Sequence, residues 1–383
     1  MHSASGAKHL ANTWVNLQVL RKRLQCALPV ELVHNGPEEV PDDKRKLFEG
    51  EFTNIRFVDA SLVPIPSHHR QTKLESYVIK VHALYITSFD EVLMLDSDNM
   101  PLADPSSLFD TPAYQAFGNL HWPDFANDIG KPLDPNIFRL LGLRIPWRAE
   151  TGFRAEESGQ LLINKARHAD VLEYLLFLNL HSHIIYDYMW GDKDSVRIAY
   201  ALAGKEGLRQ QVQWTPRMAL ADHDGGGKGG DAASRKLLVG VIQHDPDARL
   251  VLMHRVTPGA KFDPDRKPYM KVDYITTPAG PDEFWATEWQ AESKWGGTHE
   301  WRPESVDVTT PLTACPGEPF KCDLVDGTAG LLGIPIAWFE DLQQTLHFSY
   351  QAFRSYRKRL PATVKTHVRA RKHGTDGIVV PNR

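Results

Sequence analysis

Apolar residues recur at helical spacing at Leu10, Trp14, Leu17, Leu20 and Leu24, which predicts an amphipathic helix over residues 8–25. Leu28-Pro29-Val30-Glu31-Leu32-Val33 then reads as a strand, closed by the turn residues Asn35-Gly36-Pro37. A charged helix over 38–48 leads to a second strand at Ile55–Val58. Leu74, Tyr77, Val78, Val81, Leu84 and Tyr85 mark another helix, which runs straight into Glu91-Val92-Leu93-Met94-Leu95. That short apolar run, bounded by polar residues, has the form of a buried strand in a parallel sheet. Helix and strand alternating at this pace predict an α/β domain with a mostly parallel sheet flanked by helices. A leading helix is odd for such a fold, and residues 1–9 are polar, so the first strand is expected to be missing or truncated.

Further along, Met100-Pro101 and Asp104-Pro105 turn the chain, and Ser106–Phe109 is a short helix. Residues 121–155 read as Pro- and Trp-rich loop, including His121-Trp122-Pro123-Asp124. Glu156 to Gln160 lead into a strand at Leu161–Ile163, and a helix follows with Val171, Leu172, Leu175, Leu176 and Asn179. Gly191-Asp192-Lys193-Asp194 opens a helix bearing Val196, Ala199 and Leu202. The Gly-rich stretch 224–231 lacks the strand-before, helix-after setting of a phosphate cradle and reads as an insertion. Strands at Leu237–Ile242 and Leu250–Met253 follow, the second ending on His254. Residues 260–335 read as irregular and aromatic, and Phe339, Leu342, Leu346, Phe353, Tyr356 and Leu360 mark a long final helix before a basic, solvated tail. The expected division is a catalytic domain at 1–260 and an irregular C-terminal extension at 261–383.

Composition changes this picture little. The 383 residues suffice for a substantial core. A net charge of −4 gives no global basic surface for nucleic acid. No apolar run reaches the roughly 18 to 20 residues of a membrane span, and no secretory h-region opens the chain. Cys315 and Cys322 flank Pro316–Pro319, where either a bridge in an oxidising compartment or two free thiols is open. No Asn-x-Ser/Thr sequon occurs, so composition does not establish a secretory route.

The candidate chemistry sits at the end of the Glu91–Leu95 run, in Asp96-Ser97-Asp98. Ligands of open α/β sheets bind beyond the carboxyl ends of the strands. Two carboxylates there repel unless a cation lies between them or one keeps a proton. Mn²⁺ or Mg²⁺ suits oxygen donors and bridges to substrate phosphates, which points to a site for a diphosphate leaving group. Simple turn capping is the plain alternative. A phosphatase of the Asp-x-Asp-x-Thr kind is disfavoured because Met100 stands where the Thr would be. Lys80, on the helix before this strand, and Lys261 are candidate phosphate partners, set against ordinary surface lysines.

Taken in order, these pieces resemble the α-mannosyltransferases of the fungal Golgi type, glycosyltransferase family 71. The features that carry the resemblance begin with Leu20-Arg21 to Leu28–Glu31 and Lys80 through Asp104-Pro105. They continue with His121-Trp122-Pro123-Asp124, Glu157-Ser158-Gly159-Gln160, Gly191-Asp192-Lys193-Asp194 and His254. The resemblance implies a GT-A fold, a GDP-mannose donor, Mn²⁺ (or Mg²⁺) dependence, transfer with retention and a Golgi-lumen catalytic domain. It implies metal ligation by Asp96, Asp98 and His254, and donor binding by Lys80, Asp96, Ser158, Gly159, Gln160 and Lys261. Asp192, Asp194 and Glu157 are the implied catalytic carboxylates, one of the Asp192/Asp194 pair also being expected to cap its helix. Trp122 and Asp124 resemble the acceptor-side loop that meets a glycan or glycoprotein, a core Trp being the competing reading. The family's first strand with its Gly-rich turn and its membrane anchor are not recognisable here.

Two other functions fit the sequence. A UDP-sugar donor on the same fold changes only the nucleobase pocket, and a non-catalytic sugar- or nucleotide-binding remnant would keep the fold without turnover.

Overall fold

The computed structural model describes residues 2–3, 6–65, 77–124, 133–144, 156–189, 191–214, 216–222, 236–256, 260–265, 271–276 and 333–360. Cys315, Cys322, the Gly-rich stretch 224–231, most of 260–335 and the tail beyond 360 lie outside the described residues.

The strands are β1 (His2–Ser3), β2 (Val30–His34), β3 (Ile55–Asp59), β4 (Glu91–Leu95), β5 (Asn99–Pro101), β6 (Asn119–Pro123), β7 (Glu156–Asn164), β8 (Arg217–Asp222), β9 (Lys236–His244), β10 (Leu250–His254), β11 (Tyr274–Thr276) and β12 (Gly333–Pro335). The helices are α1 (Gly6–Gln18), α2 (Asp42–Glu51), α3 (Val78–Ile86), α4 (Pro112–Phe117), α5 (Asn136–Leu140), α6 (Ala169–Leu180), α7 (Ser182–Ile185), α8 (Ser195–Leu202) and α9 (Glu340–Arg359).

The main sheet has the order β3-β2-β1-β4-β7-β6. β1, β2, β3 and β4 are mutually parallel, and β7 runs antiparallel to both β4 and β6. The expected α/β class with a mostly parallel sheet is therefore present. Alternate residues of a strand face opposite sides, and both sides are covered here. Val30 and Leu32 of β2 join the cluster of Leu10, Trp14, Phe48, Phe353 and Tyr356, whereas Val33 joins the cluster made by α3, α6 and α8. On β4, Val92 and Met94 enter that second cluster, and Leu93 and Leu95 face a third with Tyr114 and Trp122.

Several sequence expectations are corrected. A strand does precede α1, since His2 pairs with Leu32 on one side and Leu95 on the other. With only two residues it carries no periodicity to detect. His121-Trp122-Pro123 is strand rather than loop, and Glu156–Gln160 belongs to β7. A second sheet, antiparallel and in the order β12-β11-β8-β9-β10-β5, was not foreseen as a unit. Its β5, β11 and β12 are three-residue segments with partners far away in sequence, β5 on β10 and β12 on β11, so local pattern misses them. The described part of the C-terminal region shares the core of the N-terminal helix: the rings of Trp14 and Tyr356 lie 5.3 Å apart. Among the described residues, no helix is long and apolar enough to cross a membrane.

Candidate active site at the junction of the two sheets

Leu95 is the last residue of β4 in the main sheet, and Asn99 is the first of β5 in the second. Asp96-Ser97-Asp98 is the link between the sheets, beyond the carboxyl end of a central strand. The second sheet returns His254 to the same place, because β10 is antiparallel to β5 and pairs His254 with Asn99. Candidate ligand atoms of Asp96, Asp98 and His254 lie within 4.8 Å of one another.

Charges alternate through this cluster. The buried Lys80 ammonium reaches Asp192 at 2.8 Å and Asp96 at 3.2 Å, and it donates to the Ser158 carbonyl at 2.8 Å. Burial works against its charge, but Asp192 and Asp96 outweigh burial and raise its pKa above the usual lysine value. Burial also pushes the Asp96 carboxyl up to about 6, with Lys80 opposing and Asp98 adding to the rise. For Asp98 burial is overcome by His254 and Lys261, which hold it well below the carboxylate range. Lys261 makes a direct ion pair with Asp98.

His254 stands between two carboxylates, Nε2 at 3.3 Å from Asp98 and Nδ1 at 3.2 Å from Glu157. Burial lowers its pKa, yet Glu157 and Asp98 prevail and bring it to about 10, while His254 in turn helps hold Glu157 at about 2 against burial. A carboxylate behind one ring nitrogen orients the other toward a ligand position, the usual support of a metal-binding imidazole. Glu157 thus meets the His254 ring and accepts the Gly159 N–H at 2.8 Å. Gly159 has a steric reason: a Cβ there would lie 2.9 Å from His254 Nδ1. Gly240 backs the same strand end, where a Cβ would come 2.4 Å from the His254 carbonyl oxygen, so β9 needs glycine beside β10.

The remaining predicted residues divide. Asp192 faces the site through Lys80 and accepts from Ser158 Oγ at 3.3 Å. Asp194 occupies the N-cap position of α8 but makes no side-chain capping bond, so the expected capping is not made by its carboxylate. The Ser195 N–H and Oγ instead bond to the Asp192 carbonyl. Gln160 is buried and its carbonyl oxygen accepts from Asn99, while Gln160, Ser158, Asp192 and Lys193 line a cavity of about 20 Å³. Asp124 pairs with Lys193 at the edge of the cluster. Trp122 does not belong to an acceptor surface: it is 0% exposed and donates from Nε1 to the His244 carbonyl at 2.7 Å. Its neighbours make it a core residue of the third cluster, the competing expectation.

Sequence reasoning missed Lys193 as a site cation, because a lysine between two aspartates at a helix start reads as solvated. It also missed the buried amides of α1, Asn12 and Asn16, whose partners lie at positions 97, 99 and 262.

Residues 2–154, which include both aspartates, match the family model described as "Mannosyltransferase putative". The alpha-1,2-mannosyltransferase MNN23 of Candida albicans is 26% identical over 272 residues, covering 60% of this chain and 44% of its own length. The chain is similar in sequence to these fungal α-mannosyltransferases. A second mannosyltransferase of that organism, MNN22, is 29% identical over 236 residues, covering 50% of this chain and 39% of its own length. MNN5 of Saccharomyces cerevisiae is 25% identical over 247 residues, with 51% and 42% covered. The chain thus spans less than half the length of these fungal mannosyltransferases. Among solved structures, the galactosyltransferase LgtC with donor and acceptor sugar analogs is similar at 17% identity and a TM-score of 0.37, covering 55% of this chain and 72% of LgtC.

Proposed function

We propose that this chain carries the catalytic domain of a metal-dependent, retaining mannosyltransferase of the GT-A type, moving mannose from GDP-mannose to a glycan acceptor in an α-linkage within the Golgi lumen. The observation that carries this is the convergence of Asp96, Asp98 and His254 with Lys80 and Lys261 where the two sheets meet.

The donor set suits a divalent ion. Two carboxylates and an imidazole, with Glu157 behind the ring, offer hard oxygen donors and an acceptable nitrogen for Mn²⁺ or Mg²⁺. Such an ion, when bound, supplies neutralisation of the diphosphate as the sugar leaves. The chain's own groups supply the rest. Lys261, on Asp98, offers its ammonium to a phosphate oxygen, and Lys80 fixes the orientation of Asp96 and Asp192. Asp192, with Ser158, presents a carboxylate that stabilises positive charge developing on the sugar ring. Ser158, Gly159 and Gln160 form the donor-sugar wall. Asp124, held by Lys193, accepts the proton side of an acceptor hydroxyl.

A thermal-shift panel of GDP, GDP-mannose, UDP and UDP-sugars with and without Mn²⁺ tests the proposal. A ligand at about 100 times its Kd adds about 2.7 kcal/mol of stability. A GDP-selective, Mn²⁺-dependent shift that disappears in Asp98→Ala is expected. A UDP-selective shift would move the donor assignment to UDP-sugars, and no shift with any nucleotide in the folded protein would leave a non-catalytic domain.

A further inference from the structure

The helix α1 contacts both halves of the site through amides buried in an otherwise apolar setting. Asn12 and Asn16 are each 2% exposed, one turn apart on one face. Burying an amide is unfavourable unless it is hydrogen-bonded, so the partners of these two explain why they are there. Asn16 Nδ2 donates to the Ser97 carbonyl at 2.9 Å and to the Asn99 carbonyl at 3.0 Å, the carbonyls of the two residues on either side of Asp98. The Asp98 carbonyl itself accepts from the Arg255 N–H at 3.0 Å, next to His254. Two turns before Asn16 on α1, His9 Nδ1 lies 2.6 Å from Ser97 Oγ.

Asn12 grips the other half. Its Oδ1 accepts the Phe262 N–H at 3.0 Å and its Nδ2 donates to the Phe262 carbonyl at 3.2 Å, a two-point hold on the residue after Lys261. Arg255 braces the same segment, donating to the Ala260 carbonyl at 3.0 Å and lying 4.4 Å from the Phe262 ring.

We infer that Asn16 and Asn12 are positioning residues that set the spacing between Asp98 and Lys261, Asn16 by fixing the carbonyls of Ser97 and Asn99 on either side of Asp98 and Asn12 by fixing Phe262 beside Lys261. The two segments are far apart in sequence and meet on one helix. The division of labour follows: Asn16 governs the metal-binding loop, and Asn12 governs the diphosphate-binding lysine. This rests on the metal and diphosphate assignment proposed above.

The test uses the full chain with Mn²⁺ titrated by electron paramagnetic resonance, GDP titrated by calorimetry at saturating Mn²⁺, and thermal unfolding as the control for folding. Asn16→Ala is expected to weaken Mn²⁺ binding by about tenfold or more, the scale of losing an outer support of a metal ligand. Asn12→Ala is expected to leave Mn²⁺ binding within about twofold and to weaken GDP binding about tenfold. The effect of Asn12→Ala should largely vanish in a Lys261→Ala background, a non-additivity that a purely structural role would not produce. Asn16→Leu and Asn12→Leu keep the side-chain shape, remove only the amide's hydrogen bonds and add no charge, and serve where an alanine variant does not fold. Wild-type Mn²⁺ affinity in a folded Asn16 variant, or additive Asn12 and Lys261 effects, overturns this inference alone. Failure of the wild-type protein to bind Mn²⁺ overturns the metal assignment and this inference with it.

Discussion

Asn99 and His254 face each other across the β5–β10 ladder, and that one pairing brings an imidazole to the Asp-Ser-Asp link. The ladder holds the backbone whatever side chain stands at 254. His254→Ala is therefore expected to keep the fold and to weaken Mn²⁺ binding at least about tenfold, checked by metal titration beside a thermal melt. Unchanged affinity would remove His254 from the donor set.

Gly159 leaves the space that the His254 ring uses. Gly159→Ala places a methyl 2.9 Å from Nδ1 and 3.1 Å from Cε1, so the ring must move away from its position between Glu157 and Asp98. A loss of Mn²⁺ affinity of about tenfold is expected with little change in secondary structure. Full affinity by titration would show that the ring tolerates the shift.

Lys80 neutralises two carboxylates in a buried setting, Asp96 and Asp192. Lys80→Met keeps the stem but leaves both carboxylates without their ammonium. Breaking a buried pair from one side costs about 3–5 kcal/mol, and a fall of that size in the unfolding free energy is expected from urea melts, with a lower midpoint. A midpoint equal to wild type would mean that water, not Lys80, compensates these charges.

Glu51 ties the end of α2 to the end of α1, the turn after it and the end of α9, accepting from Gln18 at 2.9 Å, Lys22 at 2.5 Å and Arg359 at 2.6 Å. Burial raises its pKa, but these hydrogen bonds outweigh it and bring it to about 2, below the ordinary 4.5. The folded value is the lower one, so its contribution to stability is complete above about pH 4.5 and is lost as pH falls toward about 2. Thermal melts across that interval should show a shallower acid slope in Glu51→Gln than in wild type; parallel slopes would count against this linkage.

Trp122 offers a check on the acceptor side. Trp122→Phe removes the Nε1–H that donates to the buried His244 carbonyl, for an expected cost of about 1 kcal/mol. Since the ring is fully buried, the KM for a mannoside acceptor should stay at its wild-type value in a transfer assay. A selective rise in that KM would return Trp122 to the acceptor site.

The sequence by itself determined most of the parallel half of the fold, its helices and the strands β2 to β4. Period-3.6 stripes in α1 and α3, and the apolar runs of β2 and β4, bury surface in a way that local pattern records directly. It also located Asp96 and Asp98, because a strand's end is where its apolar run stops. Only the tertiary structure decided what those carboxylates face. His254 and Lys261 reach Asp98, and Glu157 reaches His254 behind it, through antiparallel pairing and a loop held by Asn12, interactions between residues remote in sequence that leave no local spacing to read. The same holds for Trp122: an aromatic beside a polar motif looks the same in sequence on a surface or in a core, and packing against β7 and the β9 end put it inside. The two-residue β1 lay beyond pattern for another reason. A strand that short is specified by the ladders of β2 and β4 on either side, not by its own residues.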